Sequence, residues 1–236
     1  MEEEIFFCPP RRIAAGYAHN VSFVTPEEEG QAPGMRAWGR NEHNVLAMSA
    51  ASCRKAPPVI TAPTPIDFFR GLAIFEVSCG QSHTVVLEKK PDRDGGKVWC
   101  AGFCGNGRLG VEREELREKV RAAEEETGDS NSPLNLKRQA TILPPQEAYL
   151  PPSVTIARVS AGADHTLALT EYGQVMAWGA GNYGNLGSGG THDAWIPTLV
   201  HSLEETECVQ VAAGAKHSLA LTRKGIIYAW GHGGNG

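Results

Sequence analysis

The sequence lacks three features that would assign it to a common class of protein. No apolar run approaches the roughly 20 residues of a membrane-spanning helix. The acidic start, Met1-Glu2-Glu3-Glu4, lacks the apolar segment of a secretory signal. Six cysteines stand at irregular positions among 236 residues, which does not indicate a disulfide framework. We therefore expect a reduced protein of the cytosol or nucleus with no membrane partner.

Positive charge and chemical motifs are scarce as well. Lys and Arg number 22 against 27 Asp and Glu, so the net charge is -5. Nucleic-acid binding favours a basic surface, so we do not expect that kind of partner. No Gly-rich loop ends in Lys-Ser/Thr, and Cys100 and Cys104 lack the second ligand pair of a zinc finger. We expect no cofactor, no metal and no catalytic residue.

Glycine, by contrast, is abundant at 27 residues, and one pattern containing it recurs four times. Each copy begins with Gly-x-x-His, continues as an alternating apolar run and a Gly-containing turn, and ends in a second run closed by Trp-Gly. The copies begin at Gly16 to His19, Gly80 to His83, Gly162 to His165 and Gly214 to His217. Trp-Gly follows at Trp38, Trp178 and Trp230, whereas the second copy has Ala101-Gly102, with Trp99 two residues earlier.

The third copy shows how the pattern folds. Residues 165–170 alternate with period two, which predicts a half-buried strand, and Glu171-Tyr172-Gly173 forms a hairpin loop. Residues 174–178 return as a strand, and Thr198-Leu199-Val200 follows Pro197 as an edge strand. Four antiparallel strands per copy are the composition of a β-propeller blade. The sequence predicts an all-β segment of about four blades within one domain, at residues 11–65, 74–155, 156–205 and 208–236.

Two stretches carry a resemblance to a known family. Residues 159–187, VSAGADHTLALTEYGQVMAWGAGNYGNLG, and residues 211–231 resemble the regulator-of-chromosome-condensation repeat. The resemblance implies blades built for a ring of typically seven. It also implies either a scaffold, adaptor or ligase subunit, or an exchange factor for Ran-type small GTPases. Our leading expectation is protein recognition through the loop faces of the disc, and guanine-nucleotide exchange on a small GTPase is the alternative.

The four histidines invite a catalytic or metal-binding interpretation, but their spacing opposes it. One histidine at the same place in every blade is spread around the ring by the repeat symmetry. We therefore expect His19, His83, His165 and His217 to be structural, each with a hydrogen bond to a neighbouring loop. We expect each Trp of Trp-Gly to pack between blades, and Trp99 to fill the volume beside Ala101. A hydrolase that uses these histidines is a third alternative.

Three segments depart from the repeat, and such segments can carry function. The second hairpin loops of the first two copies are long and charged, and strand counting puts both on one face. Their candidate partner contacts are Glu27, Glu28 and Glu29 in the first and Lys89, Lys90 and Arg93 in the second. The third segment, an insert at residues 111–140, lies on the opposite face. Tolerated loop growth is the alternative explanation for all three.

The insert favours a helix at residues 112–126, because strong helix formers dominate it and Glu115 and Lys119 are spaced to pair. Its apolar positions include Leu116 and Val120, which fall on one stripe. We expect a surface helix or arm outside the core, with these two residues as candidate partner contacts.

The fourth copy stops at Gly236, before the point at which the third copy forms its last strand. Ile5-Phe6-Phe7 is the only candidate for a replacement strand. We therefore expect an open arc whose ends are covered by further repeats or by a partner, and which self-associates when left uncovered.

Overall fold

A computed structural model describes residues 13–24, 34–89, 96–127 and 143–234, and within them the chain forms four antiparallel sheets in sequence order. The first three sheets have four strands and the fourth has three. Their bounds are β1 (Ile13–Ala15), β2 (His19–Val24), β3 (Gly34–Arg40) and β4 (Val59–Ile66); β5 (Ile74–Cys79), β6 (His83–Glu88), β7 (Lys97–Gly102) and β8 (Gln146–Glu147); β9 (Ile156–Ala161), β10 (His165–Thr170), β11 (Val175–Gly179) and β12 (Ala194–Leu199); and β13 (Cys208–Ala213), β14 (His217–Thr222) and β15 (Ile227–Gly231).

Two helices and three short 3₁₀ turns join these strands. Helix α1 (Ala50–Lys55) precedes β4, and helix α2 (Arg113–Thr127) lies in the insert between β7 and β8. The 3₁₀ turns span Glu42–Asn44, Gly105–Gly107 and His201–Leu203. No helix in the described part of the chain is long and apolar enough to cross a membrane.

Each sheet is one blade, and its pairing follows the repeat. In the third blade the order is β12-β11-β10-β9, and His165 pairs with Gly179 across β10 and β11. Gly173 closes the hairpin between these strands with φ of 78°, a left-handed value that glycine adopts without a steric penalty. These sheets confirm the prediction of four-stranded antiparallel blades.

The first strand of each blade lies innermost, where the blades meet. The hydroxyl Oγ of Ser78 on β5 accepts a hydrogen bond from the backbone nitrogen of Ala161 on β9, at 2.9 Å. Ser160 on β9 does the same for Ala213 on β13, at 3.0 Å. Small residues such as serine and alanine suit the first strand, because a single serine side chain spans the gap to the backbone of the next first strand.

The hydrophobic core is divided into layers between blades. Leu87 of the second blade and Met176 of the third belong to one buried cluster, which also holds Trp178. A second cluster joins the first two blades and a third joins the last two. Each blade therefore buries its apolar side chains against its neighbours, and a terminal blade has one face without a neighbour.

The ends of the strands define two faces of the arc. The turn face carries the Gly-x-x-His turns and the segments that follow Trp-Gly, and the hairpin face carries the hairpins between the second and third strands. Strands β2 and β6 both end at the hairpin face, on adjacent blades, as expected. The candidate contacts in their loops, Glu27, Glu28, Glu29, Lys90 and Arg93, lie outside the described residues.

Helix α2 corrects one expectation about the insert. Glu115 and Lys119 pair at 2.7 Å, as predicted. Leu116 and Val120, however, are completely buried and belong to the core cluster between the second and third blades. Our expectation that they are surface contacts for a partner is wrong, because the helix turns its apolar stripe toward the blades.

The fourth blade is open on its far side. Every residue of β10 is buried, whereas His217 on the equivalent strand β14 is exposed and Leu219 is only partly buried. The four sheets do not close into a ring within the described residues, so the arc leaves this blade face uncovered.

Candidate functional site

The turn face is built from glycines that let successive turns pack together. A Cβ atom added at Gly80 would collide with the carbonyl oxygen of Gly162 and with the ring of His83. The backbone nitrogen of Tyr17 donates to the carbonyl of Gly80 at 3.2 Å, which links the first turn to the second. Glycine at the start of Gly-x-x-His is therefore required by close approach between blades.

Each covered histidine joins its blade to the next through a hydroxyl group. The Nε2 atom of His19 lies 2.8 Å from Oγ1 of Thr84, which donates to the carbonyl of Val45 at 2.5 Å. Because the hydroxyl proton goes to that carbonyl, Thr84 accepts the proton of Nε2. The partner is thus a strand hydroxyl of the next blade, where the sequence predicted a loop.

The arrangement repeats at the next two boundaries. His83 lies 3.0 Å from Oγ1 of Thr166, and His165 lies 2.9 Å from Oγ of Ser218. Ser218 donates in turn to the carbonyl of Asn185 at 2.7 Å. Threonine or serine directly after the histidine of the next copy is therefore part of the repeat, and this position is visible in the sequence.

Burial keeps these imidazoles neutral. It lowers the pKa of His19 and of His165 to about 4, and lowers the pKa of His83 well below its ordinary value. A neutral imidazole that donates Nε2–H to a fixed hydroxyl acts as a structural link. Among the described residues, no group of three or more acidic, histidine or cysteine side chains could hold a metal ion.

His217 departs from the other three. It is exposed on β14, since no further blade lies against it within the described residues. The structural role expected of His217 therefore stays a prediction.

Two tryptophans of Trp-Gly, Trp178 and Trp230, pack against the tail of the preceding blade, which is the segment that follows its third strand. Trp178 is completely buried, and a Cβ atom added at Gly110 would lie 3.1 Å from its Nε1. Trp230 has the same relation to Gly187, and its Nε1 donates to the carbonyl of Asn185 at 2.8 Å. Packing between blades, which we expected of these residues, is what both positions show.

The second blade has no tryptophan at the position that Trp178 and Trp230 occupy in theirs. Ala101, at the tryptophan position, is buried in the cluster between the first two blades. Trp99 packs edge-on against Phe68 and Phe69 of the connection between these blades. Its Nε1 donates to Glu88 at 2.9 Å. The indole thus packs against the cluster that contains Ala101, through contacts with the inter-blade connection.

The first tail keeps the shape of the glycine-containing tails without their glycines. Asn44 and Ala47 adopt φ of 60° and 58°, close to Gly107 and Gly110 at 77° and 69° in the second blade. Asn44 compensates with its side chain, which donates to the carbonyls of Met48 and Leu143. Asn44 and Ala47 stand where the second copy has Gly107 and Gly110, and the turn is nevertheless kept.

Arg108 is a residue of the turn face that the sequence analysis missed. Its side chain is almost completely buried, and its Nη2 lies 2.6 Å from Oδ1 of Asp164 in the next blade. The guanidinium lies 5.0 Å from the ring centroid of Phe103 and donates to the carbonyl of Gly105 at 2.8 Å. It fills the cleft between the second and third blades.

The corresponding cleft between the first and second blades holds a cavity of about 170 Å³. Tyr17, His43, Val45, Ser82 and Phe103 are among its lining residues. Tyr17 is 79% exposed, the highest value among the exposed large hydrophobic residues of the described chain. The cavity and this ring are the most distinctive features of the turn face.

At the mouth of this cavity stand two opposite charges. Arg40 Nε lies 3.4 Å from Oε1 of Glu42, and both side chains are more than half exposed. An exposed pair of this kind contributes little to folding, so both groups remain accessible to a ligand.

The hairpin face offers a different chemistry. Nζ of Lys89 lies 3.1 Å from Oε1 of Glu171 in the third blade and 4.6 Å from the ring centroid of Phe75. Of the candidate partner contacts in the long hairpin loops, Lys89 alone falls within the described residues. Lys89 forms an ion pair with Glu171 in the hairpin of the third blade, so its side chain links two blades.

Radial sheets of four antiparallel strands, with a core between every two sheets, define a β-propeller repeat protein. The Gly-x-x-His turns, the hydroxyl-linked histidines and the Trp-Gly ends occur in register in successive blades. The chain belongs to the family of the regulator of chromosome condensation (RCC1) repeat. One RCC1 repeat profile matches residues 37–87 and 172–221, and a second matches residues 156–185 and 208–236.

Curated relatives agree with this assignment. The chain is 29% identical over 228 residues to the ultraviolet-B receptor UVR8 of Arabidopsis thaliana, which covers 95% of this chain and 42% of UVR8. It is 28% identical over 200 residues to the human E3 ubiquitin-protein ligase HERC2, over 84% of this chain and 3% of HERC2. A shorter match, 46% over 84 residues, covers 36% of this chain and 19% of the mitochondrial RCC1 domain-containing protein RUG3 of Arabidopsis thaliana.

Solved structures show the same fold. The chain superposes on human WBSCR16 with a TM-score of 0.69 at 20% identity, over 98% of this chain and 50% of that one. It superposes on yeast RCC1 (Prp20), solved bound to Kap60, with a TM-score of 0.65 at 23% identity, over 93% of this chain and 43% of that one. The chain thus spans half or less of the length of these relatives.

Proposed function

We propose that this chain is a protein-interaction module that recognises its partner through the turn face. The observation that carries the proposal is the contrast between the two kinds of polar group there. The first three repeated histidines are buried and form links between blades, whereas Tyr17, Arg40 and Glu42 project around an open cavity. Exposed aromatic and arginine side chains beside a pocket are typical of interface anchors.

An alternative within the same family is guanine-nucleotide exchange on a small GTPase. The yeast protein Prp20p, on which this chain superposes with a TM-score of 0.63, is described by its binding to Gsp1p and histones. That likeness, at 18% identity, supports a fold suited to protein partners. Release of a fluorescent nucleotide from a panel of small GTPases, Ran-type included, tests the alternative directly: acceleration by the chain favours exchange, and unchanged rates favour a scaffold.

The open face of the fourth blade is a second surface for a protein partner. Ile227 is 67% exposed, and Leu219 is only partly buried beside the exposed His217. This surface matches what the first three blades bury against their successors, so further repeats or a second chain can cover it. A cytosolic or nuclear location belongs to the same proposal, and cell fractionation tests it.

A face-specific crosslinking experiment tests the leading proposal. Tyr17 on the turn face and Tyr172 on the hairpin face are 79% and 74% exposed, which makes them a matched pair. We replace each in turn by photoreactive benzoylphenylalanine and irradiate the chain in extract of the organism that encodes it. The proposal expects a discrete adduct from position 17 that is absent from position 172. Adducts from position 172 alone, or from neither position, contradict it.

A further inference from the structure

The three clefts between successive blades on the turn face are equivalent positions, and they are filled in different ways. In the second cleft the residue directly after the 3₁₀ turn is Arg108, whose backbone has φ of −57° and ψ of −27°. Its guanidinium lies over Phe103 and binds Asp164 of the following blade. In the third cleft, Nζ of Lys216 lies 4.6 Å from the ring centroid of Tyr183. A cation over an aromatic ring thus occupies both clefts.

The first cleft has the same backbone and a different side chain. Val45 stands directly after the 3₁₀ turn with φ of −62° and ψ of −19°, so it is the counterpart of Arg108. Ser82 is the counterpart of Asp164, because each directly precedes the histidine of its turn. A short apolar side chain replaces a long cationic one at this position, and the cleft holds a cavity of about 170 Å³ with Arg40 among its lining residues.

The size of the cavity limits what can fill it. Sites for drug-sized ligands and cofactors occupy roughly 300–1,000 Å³, so this cavity suits a single side chain. Its rings include those of Tyr17, His43 and Phe103. Flat aromatic walls favour a planar cation, and a guanidinium stacks on them while its N–H groups reach a carboxylate.

The two charges at the mouth act in opposite directions on a cationic ligand. The Glu42 carboxylate can accept several hydrogen bonds and is satisfied only in part by Arg40 at 3.4 Å. Arg40 opposes a second cation, so it lowers affinity, whereas Glu42 raises it. Gln81 and Ser82 add neutral polar groups to the same wall.

We propose that the cavity between the first and second blades is an anchor site for an arginine side chain presented by a protein partner. The partner's arginine takes the place that Arg108 occupies in the next cleft. The inference rests on the proposed function, because it names the residue type that the turn face recognises.

The test uses the whole chain and four small probes: the N-acetyl, N-methylamide derivatives of arginine, lysine, phenylalanine and glutamate. Binding is followed by NMR through the backbone amides of Tyr17, Ser82 and Phe103. The proposal expects saturable shifts with the arginine probe, and weaker or absent shifts with the other three. Stronger binding of the glutamate or phenylalanine probe, or no response to any probe, overturns it.

Variants at the mouth give the electrostatic control. Glu42→Gln is expected to weaken the arginine probe about two- to fivefold, and Arg40→Ala to strengthen it by a similar factor, the range for exposed ion pairs. Both side chains are more than half exposed, so both variants are expected to fold. The opposite pair of changes would show that the site prefers an anion.

A reciprocal pair of variants tests the equivalence of the two clefts. Val45→Arg, combined with Ser82→Asp, rebuilds the Arg108 arrangement in the first cleft and is expected to abolish probe binding there. Arg108→Ala opens the second cleft and is expected to add a second set of shifts, at the Asp164 amide. If the first variant fails to fold, the second still decides, since failure of Arg108→Ala to gain a site contradicts the comparison.

The two proposals fail separately. Loss of probe binding together with a retained position-17 adduct would reject the arginine site and leave the interaction module standing. Specific binding of the arginine probe together with no adduct from the turn face would reject the interaction module and leave the arginine site standing.

Discussion

The Nε2 atom of His165 on the third blade lies 2.9 Å from the hydroxyl of Ser218 on the fourth, so one hydrogen bond ties together strands from two repeats. His217, the next histidine of the series, is exposed. The chain thus contains a buried and an uncovered copy of the same residue in similar local sequences, and the pair provides an internal control.

The first prediction compares these two histidines. His165→Ala should lower the free energy of unfolding by about 1–3 kcal/mol, because the buried hydroxyl of Ser218 loses its donor. His217→Ala should change it by less than about 0.5 kcal/mol, as expected at an exposed site. Urea denaturation of both variants gives the comparison, and equal losses would show that exposure does not decide the role.

The second prediction concerns acid. Burial lowers the pKa of His19 and His165 from 6.5 to about 4, so above pH 6.5 both are neutral in the folded and the unfolded chain. Between pH 6.5 and about 4 only the unfolded chain takes up these protons, which favours unfolding. At pH 5 each histidine should cost about 2 kcal/mol of stability relative to pH 7.5. Denaturant titrations at the two pH values measure this, and His165→Asn should lower the difference.

The third prediction concerns the buried stripe of α2. Leu116→Ala should destabilise the fold by about 2–5 kcal/mol, since a completely buried leucine leaves a cavity in the core between two blades. Glu118→Ala, on the exposed side of the same helix, should have an effect within about 0.5 kcal/mol. Thermal unfolding of both variants decides whether the insert belongs to the core. Equal melting temperatures for the two variants would show that the helix is a surface arm outside the core.

The fourth prediction couples Ala47 to Ala101. Gly110 and Gly187 lie against the tryptophans of the following blade, with no room for a Cβ atom. The first tail carries a Cβ at Ala47, and the following blade has Ala101 where tryptophan would stand. Ala101→Trp alone should cost about 1–3 kcal/mol through overpacking, and Ala47→Gly should restore part of it. A double-mutant cycle with no coupling would mean that the two positions vary independently.

The fifth prediction concerns the open end of the arc. Ile227 is 67% exposed on β15, beside a blade face that lacks a covering blade within the described residues. We expect concentration-dependent association in analytical ultracentrifugation, because an uncovered strand edge with apolar side chains promotes it. Ile227→Lys should weaken association, whereas Val59→Lys, at an exposed valine of the first blade, should not. A single monomeric species at all concentrations would contradict the prediction.

Much of the fold could be predicted because the four copies of the repeat can be aligned with one another. The strand at residues 165–170 and the left-handed glycine at Gly173 could be predicted from local sequence. The alternation wrongly predicted a half-buried strand, because neighbouring blades cover both faces of β10 and bury all six residues. The blade order and the hairpin positions follow from this strand and this turn. The placement of tryptophan between blades was predictable for the same reason, since Trp178 and Trp230 recur in register.

The candidate site was much less accessible to prediction. Arg108 and Asp164 are 56 residues apart in sequence, and no local pattern links them. The cavity beside Val45 exists because a side chain is shorter than its counterpart one blade further on, which becomes meaningful only once the two clefts are superposed. The similarity of the first tail to the others was also not visible in the sequence, since Asn44 and Ala47 adopt a glycine-like backbone without glycine.

The sequence by itself determined the repeat, the four antiparallel strands of a blade and the membership of a propeller family, because these depend on periodicity and turn geometry within about 50 residues. Tertiary structure alone decided which apolar and polar side chains face a neighbour. Leu116 and Val120 form a stripe suited equally to a core and to a partner, and only the position of α2 against the blades buries them. His217 has a local sequence similar to that of His165, and the absence of a covering blade in the described arc leaves it exposed. Whether a side chain is buried depends on contacts between segments that are distant in sequence, and these contacts form where the blades meet.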